Sequence, residues 1–422
     1  MGKEFFLLGG LVPPMGFSDF LAGMPSPGVI ERRLEGFSSW LEVDLDAIGH
    51  NLEVVRRLTG VEVFPCLKKN AYGHGVAVVA GFLSELGVGR VLVGKLWEAW
   101  AVREAGLDVG VVNLEPVYSL GQARWLARKR VSQVVYQEAP ARLLSEAAVG
   151  VGGEAGVWVK VDTGLGRVGV GWREAPDYLE WLSGLPGLRL EGVFTTLAEG
   201  EEDMAQVRRL VEAARVAEER GVEVPCLSAS SSYGILLRPG SYLDAVRPGV
   251  MLFGWLPVPE AGEVGVRVCE ALTLKARLEH VKTVEAGTRL TYGGAFEAPR
   301  RMRVGTLHIG YSDGYLRQLG GRGLVWFKGG LRGVVGGVSI NHMLVDLTGV
   351  EAEAGEVVEA VRPAGGNSVA SLCSLAGVEP YQFAVWLNPL TPRVYLLGGE
   401  PVALVEGRLG VGPAPLEYVG LG

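Results

Sequence analysis

The sequence predicts an α/β fold: an eight-fold (β/α) TIM-like barrel followed by a mostly antiparallel β domain. Three observations carry that expectation. First, short apolar runs alternate with amphipathic segments eight times between residues 61 and 248. Strict strand–helix alternation implies parallel strands joined by right-handed crossovers, and eight such units close naturally into a barrel. Second, five of the predicted strand ends run into polar or Gly-bearing loops that a barrel would place on one rim, and barrel chemistry gathers at those ends. Third, the alternation stops near residue 262, and Gly-punctuated strands follow with no long helix before about 366. A doubly wound open sheet is the rival arrangement of the first pattern.

In chain order, residues 1–38 read as an N-terminal extension, loosely structured or packed on the surface. Its apolar run FFLLGGLV, 5–12, faintly resembles a signal core, but no small-x-small cleavage site follows and the run is too short to span a bilayer. The segment LEVDL, 41–45, alternates like a strand. Asp46 then reads as an N-cap, and Ile48, Leu52, Val55 and Leu58 form a helical stripe. The predicted barrel strands are 61–68, 90–93, 109–113, 132–136, 157–161, 189–195, 224–228 and 245–248. Helical patterns lie near 76–86, 95–105, 119–128, 138–148, 174–183, 203–220 and 231–237. EAGEVG, 260–265, reads as a linker, after which strands near 269–284, 287–293, 302–311, 323–329, 331–340 and 342–348 and a helix near 366–377 complete the chain. The domains are therefore 1–38, a barrel over 39–262 and a β domain over 263–422.

Composition excludes several classes. The 422 residues are 48% hydrophobic and 21% charged, which suits packed cores and not disorder. A net charge of −7 with acids and bases mixed gives no basic stripe for nucleic acid. Cys66, Cys226, Cys269 and Cys373 have neither metal-ligand spacing nor the density of a disulfide framework, so a reduced, cytoplasmic protein without a metal is expected.

The strand ends carry the chemistry. VEVFPCLK ends in Lys68, and a lysine there either reaches water or serves as an amine for a carbonyl cofactor. Ser230, Ser231 and Ser232 precede a predicted helix, and Gly249 and Val250 offer backbone amides on a neighbouring loop. Such groups suit a phosphate, and they equally suit a helix cap and a Pro-Gly turn.

Six segments together give a family resemblance. KKNAYGHG (68–75), VDTGLGRVG (161–169), VRPGVMLFG (246–254), GTRLTYGG (287–294), HIGYSDGY (308–315) and EPYQFAVWLNPLTPRVY (379–395) occur in this order. Each resembles a box of the alanine racemase family, pyridoxal 5'-phosphate enzymes with an eight-fold barrel and a β domain. The resemblance implies that Lys68 binds the cofactor as a Schiff base and acts as one acid-base group, with Tyr292 opposing it. It implies that Tyr72, Ser232, Gly249, Val250 and Tyr381 hold the phosphate and that Arg247 faces the pyridine nitrogen. Arg167 would contact the cofactor phenolate and the substrate carboxylate, and Tyr311 and Ile340 would line the substrate mouth. Lys160 matches a lysine that is carbamylated in some relatives. A homodimer with shared sites follows, because Tyr292 would reach into the partner's barrel. The product would be D-alanine for cell-wall precursors.

Departures from the boxes bear on the substrate. Thr196 stands where the family has a histidine, Ser231-Ser232 replaces an Asn-Ser pair, and Ile340-Asn341 replaces Met-Asp. Racemisation of another amino acid, such as serine or a basic one, is the alternative within the same chemistry. A catalytically weak cofactor-binding protein is the alternative outside it, and Tyr292 argues against that. A decarboxylase of the same fold lacks support, because its Cys-Glu-Ser-Gly box is missing. Lys69 follows Lys68 and, in an extended segment, would face away from it.

Overall fold

A computed structural model describes residues 15–407; the apolar run at 5–12 and the chain beyond 407 lie outside the described residues. Eight parallel strands form the first sheet: Glu62–Val63, Arg90–Val93, Gly110–Asn113, Val131–Val135, Ala155–Asp162, Leu188–Phe194, Leu227–Ser231 and Ala245–Arg247. From the second to the last each pairs with the next, and the last pairs with the first. Around the remaining gap, Leu67 N donates to Leu92 O at 2.7 Å and Leu92 N to Pro65 O at 2.8 Å. The expected barrel is therefore observed, not the open sheet.

The barrel closes because its strands alternate. Leu92, Val112, Val134, Trp158, Phe194 and Ala245, from six different strands, and Phe64, just after the first, meet in one interior cluster. Trp158 packs edge-on against Phe64 at 5.8 Å and Phe194 at 6.4 Å. The intervening residues, such as Val91, Val93 and Val111, turn outward under the helices. Glu191, buried toward the amino end of its strand, accepts from Ser132, Trp158 and Arg189 and pairs with Arg90. Polar satisfaction at that end leaves the opposite rim free for chemistry.

The second sheet has nine strands. Six of them, Leu272–Val284, Met302–Leu307, Met343–Asp346, Gly330–Val335, Leu324–Phe327 and Val357–Val361, close on themselves, because the first pairs with both the second and the last. One member is unexpected. Ser39–Asp44, counted with the barrel on sequence, pairs antiparallel with Leu272–Val284 and parallel with Arg393–Leu397. Its alternation reports a half-buried strand but cannot name the partner, which lies more than two hundred residues away. Lys275 Nζ, across the pair, reaches Glu42 at 2.8 Å.

The helix after this strand, Leu45–Thr59, is capped by Asp44, whose carboxylate accepts from Ala47 N at 3.0 Å. That corrects Asp46 as the cap. Asp44 retains extended backbone and sits at the right offset, while Asp46 lies inside the first turn and accepts from Gly398 N. Residues 15–38 are packed: Phe17 lies against Phe82 at 5.9 Å, and Ile30 lies with Trp40, Val394 and Leu404. The helix Pro380–Trp386 has no counterpart among the sequence expectations.

Candidate active site

The rim begins with a local surprise. Lys69, expected in an extended segment after the strand, instead begins a left-handed helical turn with φ near +52 to +57° at Lys69, Asn70, Ala71 and Tyr72. The left-handed helix costs about 1–2 kcal/mol per L-residue, so four in succession require roughly 4–8 kcal/mol of support. Several groups supply it. Ala71 N donates to Leu67 O at 2.8 Å and Gly73 N to Lys69 O at 3.0 Å. Glu98, fully buried, accepts from Asn70 N at 2.6 Å, Gly94 N at 2.7 Å and Lys95 N at 2.9 Å. Hydrogen bonds to a charged group contribute about 1.5–3 kcal/mol each, which is the scale needed.

Three further contacts hold the far side of the turn. Asn70 Oδ1 accepts from Val76 N at 2.8 Å. The His74 ring stacks on Phe253 at 4.2 Å, and its Nδ1 meets Ala71 O and Tyr72 O at 3.0 and 3.1 Å. Carbonyls only accept, so Nδ1 carries the proton; burial pushes the ring's pKa down to about 3 and keeps it neutral. Arg393 Nε donates to Gly73 O at 2.7 Å, which ties the C-terminal segment to the same turn.

The turn aims two side chains at one place. Lys68 is exposed at the rim, with Nζ 5.8 Å from the centroid of the Tyr72 ring. Tyr72 is buried, and its ring centre lies 6.4 Å from that of Tyr381. Burial pushes both phenols above the ordinary tyrosine range, so each remains a proton donor. On the adjoining loops, Ser232 Oγ accepts from Gly249 N at 2.9 Å and Met251 N at 3.4 Å, with Val250 buried between them. A Cβ at position 249 would lie 2.5 Å from the Tyr72 hydroxyl, so only glycine fits this cradle. Ser230 is turned away, its hydroxyl donating to Ser241 O at 2.9 Å.

The floor is cationic. The Phe194 ring lies under Arg247, 4.8 Å from centroid to guanidinium carbon, and under Lys160 Nζ at 5.1 Å. Arg247 is buried and donates to Ser228 Oγ, Thr195 O and Ala229 O. Burial lowers its pKa to about 10, which leaves it charged at neutrality. Lys160 donates to Thr196 Oγ1 at 2.7 Å, so the threonine that replaces the family histidine anchors the lysine. Burial first, then the charges of Arg247 and Arg167, lower the pKa of Lys160 to about 7.

This shift has a sign. The folded value lies below the ordinary 10.5, so the unfolded chain binds the extra proton between pH 7 and 10.5. Stability from this group therefore rises across that window. In bicarbonate-free buffer, Lys160→Met is expected to flatten the increase of Tm between pH 7 and 9, as read by thermal melts.

Tyr292, Tyr311 and Ile340 lie on the β domain and are exposed; Tyr292 is 88% so. Thr291, with φ of +62°, presents Tyr292, and its hydroxyl accepts from Gly337 N at 3.2 Å. The Tyr311 ring lies under Arg317, and Ser312 binds Ile340 O from both its N–H and its hydroxyl. Arg167 is exposed on the loop after Ala155–Asp162. Thus the structure gathers Lys68, Tyr72, Lys160, Ser232, Arg247, Gly249, Val250 and Tyr381 on the barrel rim and places Tyr292, Tyr311 and Ile340 on the exposed β-domain surface. Sequence reading overlooked Glu98 and Glu199. The one signal for Glu98 is an acid four residues before the buried Val102 in an otherwise apolar helix face.

Fold and rim together define a two-domain (β/α)8-barrel protein in which an amine, a buried guanidinium and an amide cradle converge. Family profiles described as "Alanine racemase, N-terminal domain" and "Alanine racemase, C-terminal domain" match residues 43–257 and 271–395. The chain belongs to the alanine racemase family. The alanine racemase of Desulforamulus reducens is 34% identical over 371 residues, spanning 85% of this chain and 98% of that protein. That of Clostridium perfringens is 30% identical over 377 residues, spanning 87% and 97%. Among solved structures, alanine racemase from Clostridium difficile 630 matches with a TM-score of 0.83 at 25% identity, covering 88% of this chain and 99% of that one. Alanine racemase from Bacillus anthracis with bound L-Ala-P matches with a TM-score of 0.79 at 28% identity, covering 87% and 97%.

Proposed function

We propose that the chain is a pyridoxal-5'-phosphate-dependent racemase, an isomerase that interconverts L- and D-alanine with Lys68 and Tyr292 as opposing bases. One observation carries the reading: the left-handed turn delivers Lys68 and Tyr72 to the same rim as the Ser232–Gly249 cradle and the Arg247 guanidinium. These residues fit the cofactor, because an amine, a serine–glycine cradle in which a Cβ at 249 would collide with the Tyr72 hydroxyl, and a fixed cation lie on the same rim. When bound, pyridoxal phosphate supplies an electron sink for the charge left at Cα by proton removal.

The chain's own residues do the rest. Tyr72, Ser232, Gly249, Val250 and Tyr381 hold the phosphate, and Lys68 holds the aldehyde end. Arg167 orients the substrate carboxylate. Lys68 and Tyr292 would serve opposite faces of Cα, one removing and the other returning a proton, so that the substrate need not turn over. Tyr292 is exposed in its own chain, which fits a homodimer whose β domain completes the partner's site. Tyr311 and Ile340 line the mouth of that shared site. Lys160, with its pKa near 7, has a neutral amine fraction at neutrality that suits carbamylation. A cytoplasmic location accords with four free cysteines, and no helix among the described residues is long and apolar enough to cross a membrane. The proposed division remains 1–38, 39–262 and 263–422, with Ser39–Asp44 pairing in the β domain's sheet.

Arg247, buried and held by Ser228, Thr195 and Ala229, cannot yield its proton, so facing the pyridine nitrogen of a bound cofactor it would disfavour protonation there and weaken the sink. Arg247→Glu is expected to raise transamination relative to racemisation by about tenfold, measured as keto-acid against D-amino acid formed. An unchanged ratio counts against this role.

The decisive assay purifies the protein, records the yellow absorbance of the bound cofactor and tests a panel of L-amino acids for D-product by chiral chromatography. No α-proton exchange with any of them would leave a non-catalytic cofactor binder. The panel includes lysine and arginine, because Glu199 lies on the rim close enough to Lys68 for their charges to interact. That acid favours basic substrates as a second reading.

A further inference from the structure

We propose that Glu98 is a positioning residue for Lys68: its buried carboxylate grips backbone N–H groups on two loops and so holds the left-handed turn that aims the lysine amine. The proposal rests on the pyridoxal-phosphate reading above. Oε1 of Glu98 accepts from Asn70 N at 2.6 Å, inside the turn. Oε2 accepts from Gly94 N at 2.7 Å and Lys95 N at 2.9 Å, at the end of the neighbouring strand Arg90–Val93. One carboxylate thus joins the loops that follow the first two barrel strands, at the seam where the barrel closes.

The second loop is also the wall beside Lys68. A Cβ at Gly94 would lie 2.8 Å from Lys68 Cβ and 3.5 Å from Glu98 Oε2. Moving Gly94 therefore moves the surface on which the lysine rests. On the opposite side of the turn, Asn70 Oδ1, His74 and Arg393 make the remaining braces. None of them reaches the Gly94 loop; beyond the backbone bonds between Pro65–Leu67 and Leu92, which end before the turn, the Glu98 carboxylate is what ties turn to wall.

Chemistry explains why the residue is an acid. Every group facing its oxygens is an N–H donor, and a carboxylate presents acceptors on both oxygens. Glutamine has the same shape but would turn an NH2 toward one set of donors. The unmatched donors would let the strained turn relax, because Lys69, Asn70, Ala71 and Tyr72 all carry a Cβ in a region that favours glycine.

The test separates aiming from folding. In covalent attachment, the Lys68 nitrogen forms a double bond to the aldehyde carbon, and the aldehyde oxygen leaves as water with the two amine hydrogens. Attachment to full-length apoprotein is followed by mass spectrometry of the borohydride-reduced Lys68 peptide. Binding of pyridoxine 5'-phosphate, which lacks the aldehyde, reads the phosphate cradle alone. Glu98→Gln is expected to slow attachment by about 10- to 100-fold while the affinity for pyridoxine phosphate stays near the wild-type value. Adding Lys69→Gly is expected to recover most of the lost rate. Glycine accepts the left-handed backbone, and Lys69 is exposed, so its side chain leaves no cavity.

Attachment at the wild-type rate in Glu98→Gln would overturn the proposal. So would a parallel fall of attachment and analogue binding that Lys69→Gly does not relieve, since that is the pattern of a purely structural residue. Should Glu98→Gln not fold, Glu98→Asp replaces it: a shorter acid keeps the charge but retreats from the donors, and the same slowing and rescue are expected. Wild-type protein that never labels Lys68 would sink the cofactor reading itself, which distinguishes the two failures.

Discussion

Lys68→Ala is expected to lower alanine racemisation by at least about 10,000-fold, the upper range for losing a positioned acid-base group that also anchors the cofactor. The reason is geometric. Lys68 lies at the start of a turn that the protein maintains at several kcal/mol of local strain. No neighbour can substitute easily: Lys69 is adjacent in sequence but belongs to the left-handed segment itself, and Lys160 is held by Thr196. The substitution should not unfold the chain, because Lys68 is exposed and the braces of the turn act through backbone groups and through Asn70, His74 and Glu98. The measurement pairs chiral chromatography of L-alanine reactions with a thermal melt. More than a few per cent of wild-type turnover, in a folded variant, would remove Lys68 from the chemistry.

Tyr292→Phe is expected to cost about 100- to 10,000-fold in racemisation while sparing one half of the reaction. If Lys68 serves one face of Cα and Tyr292 the other, the variant should still wash deuterium from solvent into one enantiomer of alanine without inverting it. A second outcome follows from the exposure of Tyr292 in its own chain. Lys68→Ala and Tyr292→Phe proteins should each be at least about 100-fold impaired in racemisation, yet unfolding and refolding them together should restore activity. Random pairing makes half the dimers mixed, and each mixed dimer has one intact site of two, giving about a quarter of wild-type activity. Full inactivity of the mixture, with mixed dimers demonstrated by mass, would place Lys68 and Tyr292 in the same subunit's site or exclude Tyr292 altogether.

Much of the fold was legible because it is written in periodicity. The runs at 90–93 and 245–248 read as buried strands and are strands at 90–93 and 245–247. The rim residues were legible only as strand ends and boxes, since a strand's end marks a position around the barrel and not a distance to the next loop. The turn at Lys69–Tyr72 was not legible. It contains no glycine, and only Asn70 of Lys-Asn-Ala-Tyr tolerates the left-handed region readily, as a single residue and not as one of four; hydrogen bonds from Glu98, His74 and Arg393 impose it. Glu98 showed only as an acid on an apolar helix face, and its role was not legible because its partners are backbone N–H groups, which every residue but proline carries.

From the sequence alone came the alternation of strand and helix, the break near residue 262 and the order of the rim boxes, because local burial repeats at the period of the local structure. Only the tertiary structure decided that Ser39–Asp44 joins the second sheet, that Asp44 and not Asp46 caps the following helix, and that the lysine-bearing segment winds left-handed. Those outcomes depend on which groups meet in space, from Ala47 beside Asp44 and Glu98 beside Asn70 to the strand Leu272–Val284 beside Ser39–Asp44, and hydrophobic periodicity does not record such meetings.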